Sequence, residues 1–229
     1  MSARIDWDRI RLVVFDLDGT LYHQRPLRLG MAADLARHSL RERSVRDFAL
    51  IRRYRQERER LAEEGSSGFV ARLEQQLADR SGLSADQVGH LLTDWMERRP
   101  LARLPAARIR GADALFRALQ NSGRQIGVWS DYPVADKLES LGLVADHVCS
   151  AVDADVGRLK PDPRGLLKML SLAGVEPRAA LMVGDRVERD GEAARRAGVP
   201  FLLRSHKPAA GHLNVANYED PLFAPLHTC

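Results

Sequence analysis

The residues able to do chemistry begin at the end of one short apolar run. Leu12-Val13-Val14-Phe15 leads into Asp16-Leu17-Asp18-Gly19-Thr20. Residues two apart on extended backbone share a face, so the carboxylates of Asp16 and Asp18 should aim into one place. Two acids that close disfavour joint ionisation unless a cation neutralises them. A hard divalent cation with oxygen ligands, Mg²⁺ above all, is the natural partner. Gly19 marks a turn directly after the run, and the Thr20 hydroxyl can fix that turn or touch a substrate.

Three later stretches carry further polar groups. Ile126-Gly127-Val128-Trp129 is a second apolar run, ending in Ser130 and Asp131. Lys160-Pro161-Asp162-Pro163 confines its backbone, because a residue before proline is pushed out of the helical region. Leu181-Met182-Val183-Gly184 ends in Asp185, with Asp190 five residues on. Each has a plainer reading. Ser130 could cap a helix, Lys160 could be a surface lysine, and Glu188 competes with Asp190 for any acidic role. Asp131 could contact substrate or cap the next helix. His23, just beyond the first motif, could reach substrate but reads more simply as a lone exposed histidine. Trp129 reads as core rather than a stacking platform. Cys149 ends an apolar run and reads as a buried thiol.

In order, the Asp pair, the serine, the lysine and the second acidic pair resemble the haloacid dehalogenase (HAD) superfamily. The likeness is to its helically capped phosphatase type, similar to phosphoglycolate phosphatase and beta-phosphoglucomutase. It spans residues 11 to about 204, apart from an insert at roughly 23 to 106. The resemblance implies that Asp16 is a nucleophile toward phosphorus. Asp18 would be the acid that protonates the leaving alcohol and then the base that activates water, its main-chain carbonyl also facing the metal. Lys160 would place a positive charge between nucleophile and phosphate, completing a catalytic set of Asp16, Asp18 and Lys160. Ser130 would donate to the phosphoryl oxygens, with Thr20 and Asp131 as further substrate contacts. Asp16, Asp18, Asp185 and Asp190 would form the Mg²⁺ site, Asp190 through a bound water or by orienting Lys160.

The implied reaction is Mg²⁺-dependent hydrolysis of a small phosphomonoester through an aspartyl-phosphate intermediate. Asp18 argues against the dehalogenases of this superfamily, which lack an acid there, and against its transport ATPases, which usually carry lysine. A phosphomutase shares Asp16, Asp18 and the helical cap, and stays open as an alternative. So does a non-catalytic phosphate-binding scaffold.

These residues need a scaffold that delivers them to one edge. From residue 108 onward, strand-like and helix-like segments alternate. Helices are expected over Gly111–Gln120, Val134–Leu141, Pro163–Ala173 and Gly191–Ala197, with strands over Gln125–Trp129, Ala145–Ser150, Ala180–Val183 and Pro200–Leu203. Such alternation implies an α/β fold, a Rossmann-like parallel sheet covered on both faces. Ligands in these sheets bind outside the carboxyl ends of the strands, where all the singled-out residues fall. Residues 1–22 and 107–229 are read as this core.

Residues 23–106 break the alternation and are read as an inserted all-helical cap. Helices are expected over Leu27–Arg43, Val45–Glu64, Phe69–Arg80 and Ser84–Arg98, with Ser84 and Gln87 forming a capping box. Gly65-Ser66-Ser67-Gly68 reads as a flexible turn, and the prolines at Pro26, Pro100 and Pro105 as hinges. The run from Arg52 to Arg60 mixes acids and bases at helical spacing. It reads as a solvated, salt-bridged face, with substrate contact by one arginine as the alternative.

Composition narrows the classes further. The chain has 229 residues, 45% of them hydrophobic, enough for a sizeable core. No apolar run reaches the roughly 18 residues of a membrane span. The charged N-terminus does not read as a signal peptide, and two cysteines make no disulfide framework, so a cytoplasmic location is expected. The net charge of +4 is small and spread along the chain, with no nucleic-acid signature. The expected partner is a small phosphate ester.

Overall fold

Leu12–Phe15 (β1) is buried along its whole length and forms the middle of a sheet. A computed structural model describes residues 5–64 and 69–227. The glycine-serine turn at Gly65–Gly68 and Cys229 lie outside the described residues. The other strands are Gln125–Ser130 (β2), His147–Ser150 (β3), Ala180–Gly184 (β4), Phe201–Arg204 (β5) and Asn214–Val215 (β6). Their order is β3-β2-β1-β4-β5-β6, all parallel. Phe15 lies beside Val128 of β2 and Val183 of β4, so Asp16 leaves the sheet close to where β2 ends at Ser130 and β4 at Gly184. The order reverses at β1, which sets the ligand crevice beyond its carboxyl end.

The period of two divides the core. Val13 and Phe15 point to one face, packing with Leu115, Phe116 and Leu119 of Ala112–Asn121 (α7) and Leu138 of Ala135–Leu141 (α8). Leu12 and Val14 point to the other, against Leu166 and Met169 of Arg164–Ala173 (α9) and Ala193 of Glu192–Ala197 (α10). With both faces covered, β1 has no polar alternation, as expected of a parallel sheet.

Between β1 and α7 the chain is helical. Gln24–Glu42 (α1), Arg46–Glu64 (α2), Phe69–Ser81 (α3) and Ala85–Thr93 (α4) are followed by a widened π turn over Asp94–Arg98. Arg99–Leu101 (α5) and Leu104–Ala107 (α6) return the chain to the sheet, with Pro100 and Pro105 in their first turns. The capping box forms: Ser84 Oγ accepts from Gln87 N at 3.2 Å, and Gln87 Oε1 accepts from Ser84 N at 2.9 Å. The expected single helix from Ser84 to Arg98 instead ends at Thr93 and widens. The helical insert is not detached, since Leu27, Met31, Leu35 and Trp95 join the same apolar cluster as Phe15.

The C-terminal segment adds β6, which the short polar sequence did not suggest. It then seats Tyr218 edge-on to Phe15, ring centres 5.8 Å apart. Among the described residues no helix is long and apolar enough to cross a membrane.

Candidate active site

Asp16 leaves β1 with its N–H donating to Val183 O of β4 at 2.8 Å, so the sheet ladder itself fixes the start of the loop. Its Oδ2 accepts from Thr20 Oγ1 at 2.9 Å and its Oδ1 from Lys160 Nζ at 2.6 Å. Thr20 is fully buried, and its hydroxyl is committed to Asp16. The structure sets the Thr20 hydroxyl against Asp16, where it orients the acid, and Thr20 is not among the residues that line the cavity.

Lys160 is 2% exposed and reaches three acceptors. Besides Asp16, its ammonium donates to Asp190 Oδ1 at 2.8 Å and to Trp129 O at 3.0 Å. Its own N–H donates to Asp131 Oδ1 at 2.9 Å, and its carbonyl accepts from Arg189 Nη1 at 2.5 Å. Asp131 therefore holds the lysine loop while also edging the cavity.

Asp185 follows β4 and Asp190 sits in a widened turn over Val187–Gly191. That turn folds Asp190 back onto Gly184, where an added Cβ would lie 2.4 Å from Asp190 Cβ. Asp190 Oδ2 also accepts from Arg186 N at 3.1 Å. Glu188 stands exposed and paired with Arg186 at 2.9 Å, so of the two acids only Asp190 enters the site. Asp16, Asp185 and Asp190 each offer an oxygen within 4.8 Å of the others. Asp185 Oδ1 is buried with no hydrogen-bond partner, an arrangement that costs free energy unless something else satisfies it. Three carboxylates and one buried orphan oxygen fit a hard divalent cation. The Asp18 carboxylate is turned elsewhere and is not part of this cluster.

Asp18 faces a separate set of donors. Ser130 Oγ donates to Asp18 Oδ2 at 2.8 Å and accepts from Tyr132 N at 3.1 Å. Tyr22 OH and Lys137 Nζ both donate to Asp18 Oδ1, the lysine at 2.7 Å. Tyr22 and Lys137 carry no motif signal in the sequence. Both are buried despite their polar ends, and the only hint is Tyr22 standing four residues after Asp18.

Charge follows from these contacts. Burial pushes Asp16 above the usual carboxylate range; Lys160 pulls it back, while Asp190, Asp185 and Asp18 push it further. Burial works against the Lys160 ammonium, but Asp16, Asp190 and Asp131 outweigh it and hold the proton in place. Burial lifts Asp185 to about 6, with Asp190 adding to the lift. Burial would raise Asp18 as well, yet the Lys137 charge and the donors around it leave it below the ordinary value.

Two cavities meet at Asp18. The larger, about 470 Å³, holds Asp16, Lys160, Asp185 and Asp190. The smaller, about 240 Å³, runs under the insert past Tyr22, Trp95 and Lys137. Contrary to the expected solvated face, α2 turns part of its charged run inward. Arg58 is buried, donates to Asp131 O and Tyr54 OH, and lies 4.1 Å over the Tyr132 ring. Glu59 pairs with Arg189 and with Arg186 of the core. The Glu57–Arg60 pair at 3.0 Å matches the expectation. His23 is partly buried and stacks on His206 at 6.1 Å. Trp129 is fully buried and Cys149 nearly so, as expected.

A parallel sheet with an aspartate cluster and a buried lysine at its carboxyl edge defines an α/β protein with an aspartate-based site. A family model of haloacid dehalogenase-like hydrolases matches residues 10–198, and the chain belongs to this family. It is 33% identical over 231 residues to a phosphoglycolate phosphatase of Rhodospirillum rubrum, covering 94% of this chain and 89% of that protein. It is 28% identical over 200 residues to an N-acetylmuramic acid 6-phosphate phosphatase of Pseudomonas aeruginosa, covering 83% and 79%. Among solved structures, the HAD-hydrolase YfnB from Bacillus subtilis, bound to magnesium, superposes with a TM-score of 0.67 at 20% identity. The match covers 96% of this chain and 99% of that one. The chain is a phosphatase of the haloacid dehalogenase type.

Proposed function

We propose that the protein is a Mg²⁺-dependent phosphomonoesterase that works through an aspartyl-phosphate intermediate on a small phosphorylated metabolite. The observation that carries this reading is the convergence of Asp16, Asp185 and Asp190 within 4.8 Å of one another beside the Lys160 ammonium. Asp16, Asp185 and the Asp18 carbonyl would hold the cation. When bound, it screens the carboxylates from one another and stabilises charge on the phosphoryl oxygens.

Water is a poor nucleophile toward a phosphate dianion, whereas a fixed carboxylate is not. An Asp16 oxygen bonds to phosphorus, and the bond from phosphorus to the leaving oxygen breaks. Asp18, which takes up a proton as substrate binds, gives it to that oxygen. Water then bonds to phosphorus, losing its proton to Asp18, and the bond to Asp16 breaks to release inorganic phosphate. Ser130 would turn from Asp18 to the phosphoryl group when substrate arrives, and Lys160 keeps Asp16 aimed. Thr20 fixes the second Asp16 oxygen, so little reorganisation is left to the reaction. The helical insert would serve as a cap over the leaving group.

The test is phosphate release from p-nitrophenyl phosphate and small phosphomonoesters, with Mg²⁺ and with chelator. Release that needs Mg²⁺ and is lost in Asp16→Asn supports the reading. Isomerised product without free phosphate would replace it by the phosphomutase reading.

A further inference from the structure

Arg28 of α1 and Arg55 of α2 both line the smaller cavity. Among the described residues neither donates to a carboxylate, a carbonyl or any other acceptor. The charged groups around them are already engaged. Lys137 is taken by Asp18, and Glu59, which borders both cavities, is taken by Arg186 and Arg189. The walls beside the two arginines are apolar, contributed by Leu27, Met31 and Trp95. Both side chains reach solvent at the rim; partial desolvation and the like charge of Arg28 disfavour the Arg55 guanidinium, and Tyr132 favours it.

Two cations facing one cavity, neither bonded to the carboxylates that border it, repel each other until an anion enters. Guanidinium groups present donors in a planar fork that matches the oxygens of a carboxylate or phosphate. The position of the cavity says what would bring that anion. Asp18 stands at its mouth, and Asp18 is the group that hands a proton to the leaving oxygen. Whatever the leaving group carries beyond that oxygen therefore extends toward Arg28 and Arg55. A volume of about 240 Å³ admits a small tail, about eight water-sized groups at roughly 30 Å³ each.

We propose that Arg28 and Arg55 bind a second anionic group, a carboxylate or another phosphate, carried on the leaving group of the substrate. The inference rests on the phosphomonoesterase reading and narrows its substrates to small esters with an anion at each end. The two arginines are specificity-determining residues that distinguish such an ester from one with a neutral tail.

The experiment compares three esters with two-carbon leaving groups: 2-phosphoglycolate, 2-hydroxyethyl phosphate and ethane-1,2-diyl bisphosphate. The readout is the ratio of kcat/KM for each anion-tailed ester over the neutral one. In the unaltered protein, at least one ratio is expected to exceed about 10. Which ester leads tells a carboxylate site from a phosphate site. Arg28→Gln and Arg55→Gln are each expected to lower the leading ratio by about 10- to 100-fold, with Arg28→Lys and Arg55→Lys restoring part of it. A purely structural role lowers all three rates together and leaves the ratio in place, which would overturn the inference. A ratio near one in the unaltered protein overturns it too. No phosphate from any of the three esters, in folded protein supplied with Mg²⁺, overturns the hydrolase reading and this inference with it.

Discussion

Lys137 Nζ lies 2.7 Å from Asp18 Oδ1, though the two residues are 119 positions apart. One is on α8, the other on the loop after β1. The contact explains why a carboxylate removed from bulk water stays ionised in the absence of substrate. Ser130 and Tyr22 complete a set of donors that keeps Asp18 parked beside the phosphoryl site.

This relationship predicts a pH effect. Asp18 sits below the ordinary carboxylate value: burial alone would raise it, and the Lys137 charge together with the hydrogen bonds from Lys137, Tyr22 and Ser130 outweighs burial. A general acid must carry its proton, so activity falls as pH rises through its pKa. Lys137→Met removes the charge and lets that pKa rise. The alkaline limb of kcat/KM should therefore move to higher pH. A limb that stays in place, in folded Lys137→Met, would show that Lys137 does not set the charge of Asp18.

Gly19 carries a second prediction. Its φ is +100°, and an added Cβ would lie 2.0 Å from Asp185 Oδ2. Gly19→Ala should cost about 1–3 kcal/mol of stability from backbone strain and crowding. It should also weaken the response to Mg²⁺, because Asp185 is the atom displaced. Thermal unfolding and a Mg²⁺ titration of the activity check both halves. An unchanged titration would separate Asp185 from the metal.

The acid cluster predicts how Mg²⁺ and pH interact. Burial, reinforced by Asp190, lifts Asp185 from 3.8 to about 6. A group whose folded value is raised stabilises fully below its unfolded value and loses that contribution as pH climbs through the folded one. Above about pH 6 the metal-free cluster is thus at its least favourable, and a cation offsets the repulsion. The Mg²⁺-induced rise in unfolding temperature should be larger at about pH 7.5 than at about pH 5. An equal rise at both values would remove Asp185 from the site.

Cys149 gives a control for folding. Burial pushes its thiol up to about 12, and Sγ donates to Gly165 O at 3.7 Å. In a Cys229→Ser background, an aromatic disulfide reagent at about pH 8 should label it only as fast as the protein opens. The thiol's contribution to stability is complete below its unfolded value and lost as pH rises toward about 12. Labelling at the rate of a free thiol would place Cys149 at the surface.

The architecture was legible because it rests on local pattern. Short apolar runs ending in Asp16, Ser130 and Asp185 have the length and burial of parallel strands, and they became β1, β2 and β4. Residues 23–106 carry helical spacing and capping signals, and most of the described ones form helices. Two elements were missed for the same reason. The Val187–Gly191 turn and β6 are too short to carry a periodic pattern: the turn closes on Arg186 O, and β6 forms beside β5.

The sequence by itself determined which polar groups arrive at the carboxyl edge, since chain order and strand ends decide that. Only the tertiary structure decided what each group touches. Thr20 turns inward to Asp16, Asp131 braces the Lys160 loop, and Tyr22 and Lys137 converge on Asp18. Glu59 leaves its helical neighbours for Arg189, while Arg55, one turn earlier on α2, is left facing a cavity. Side chains of mixed charge can satisfy themselves locally or across the fold with similar energies. The choice is made by burial and by distances between residues far apart in the chain, which no local pattern contains.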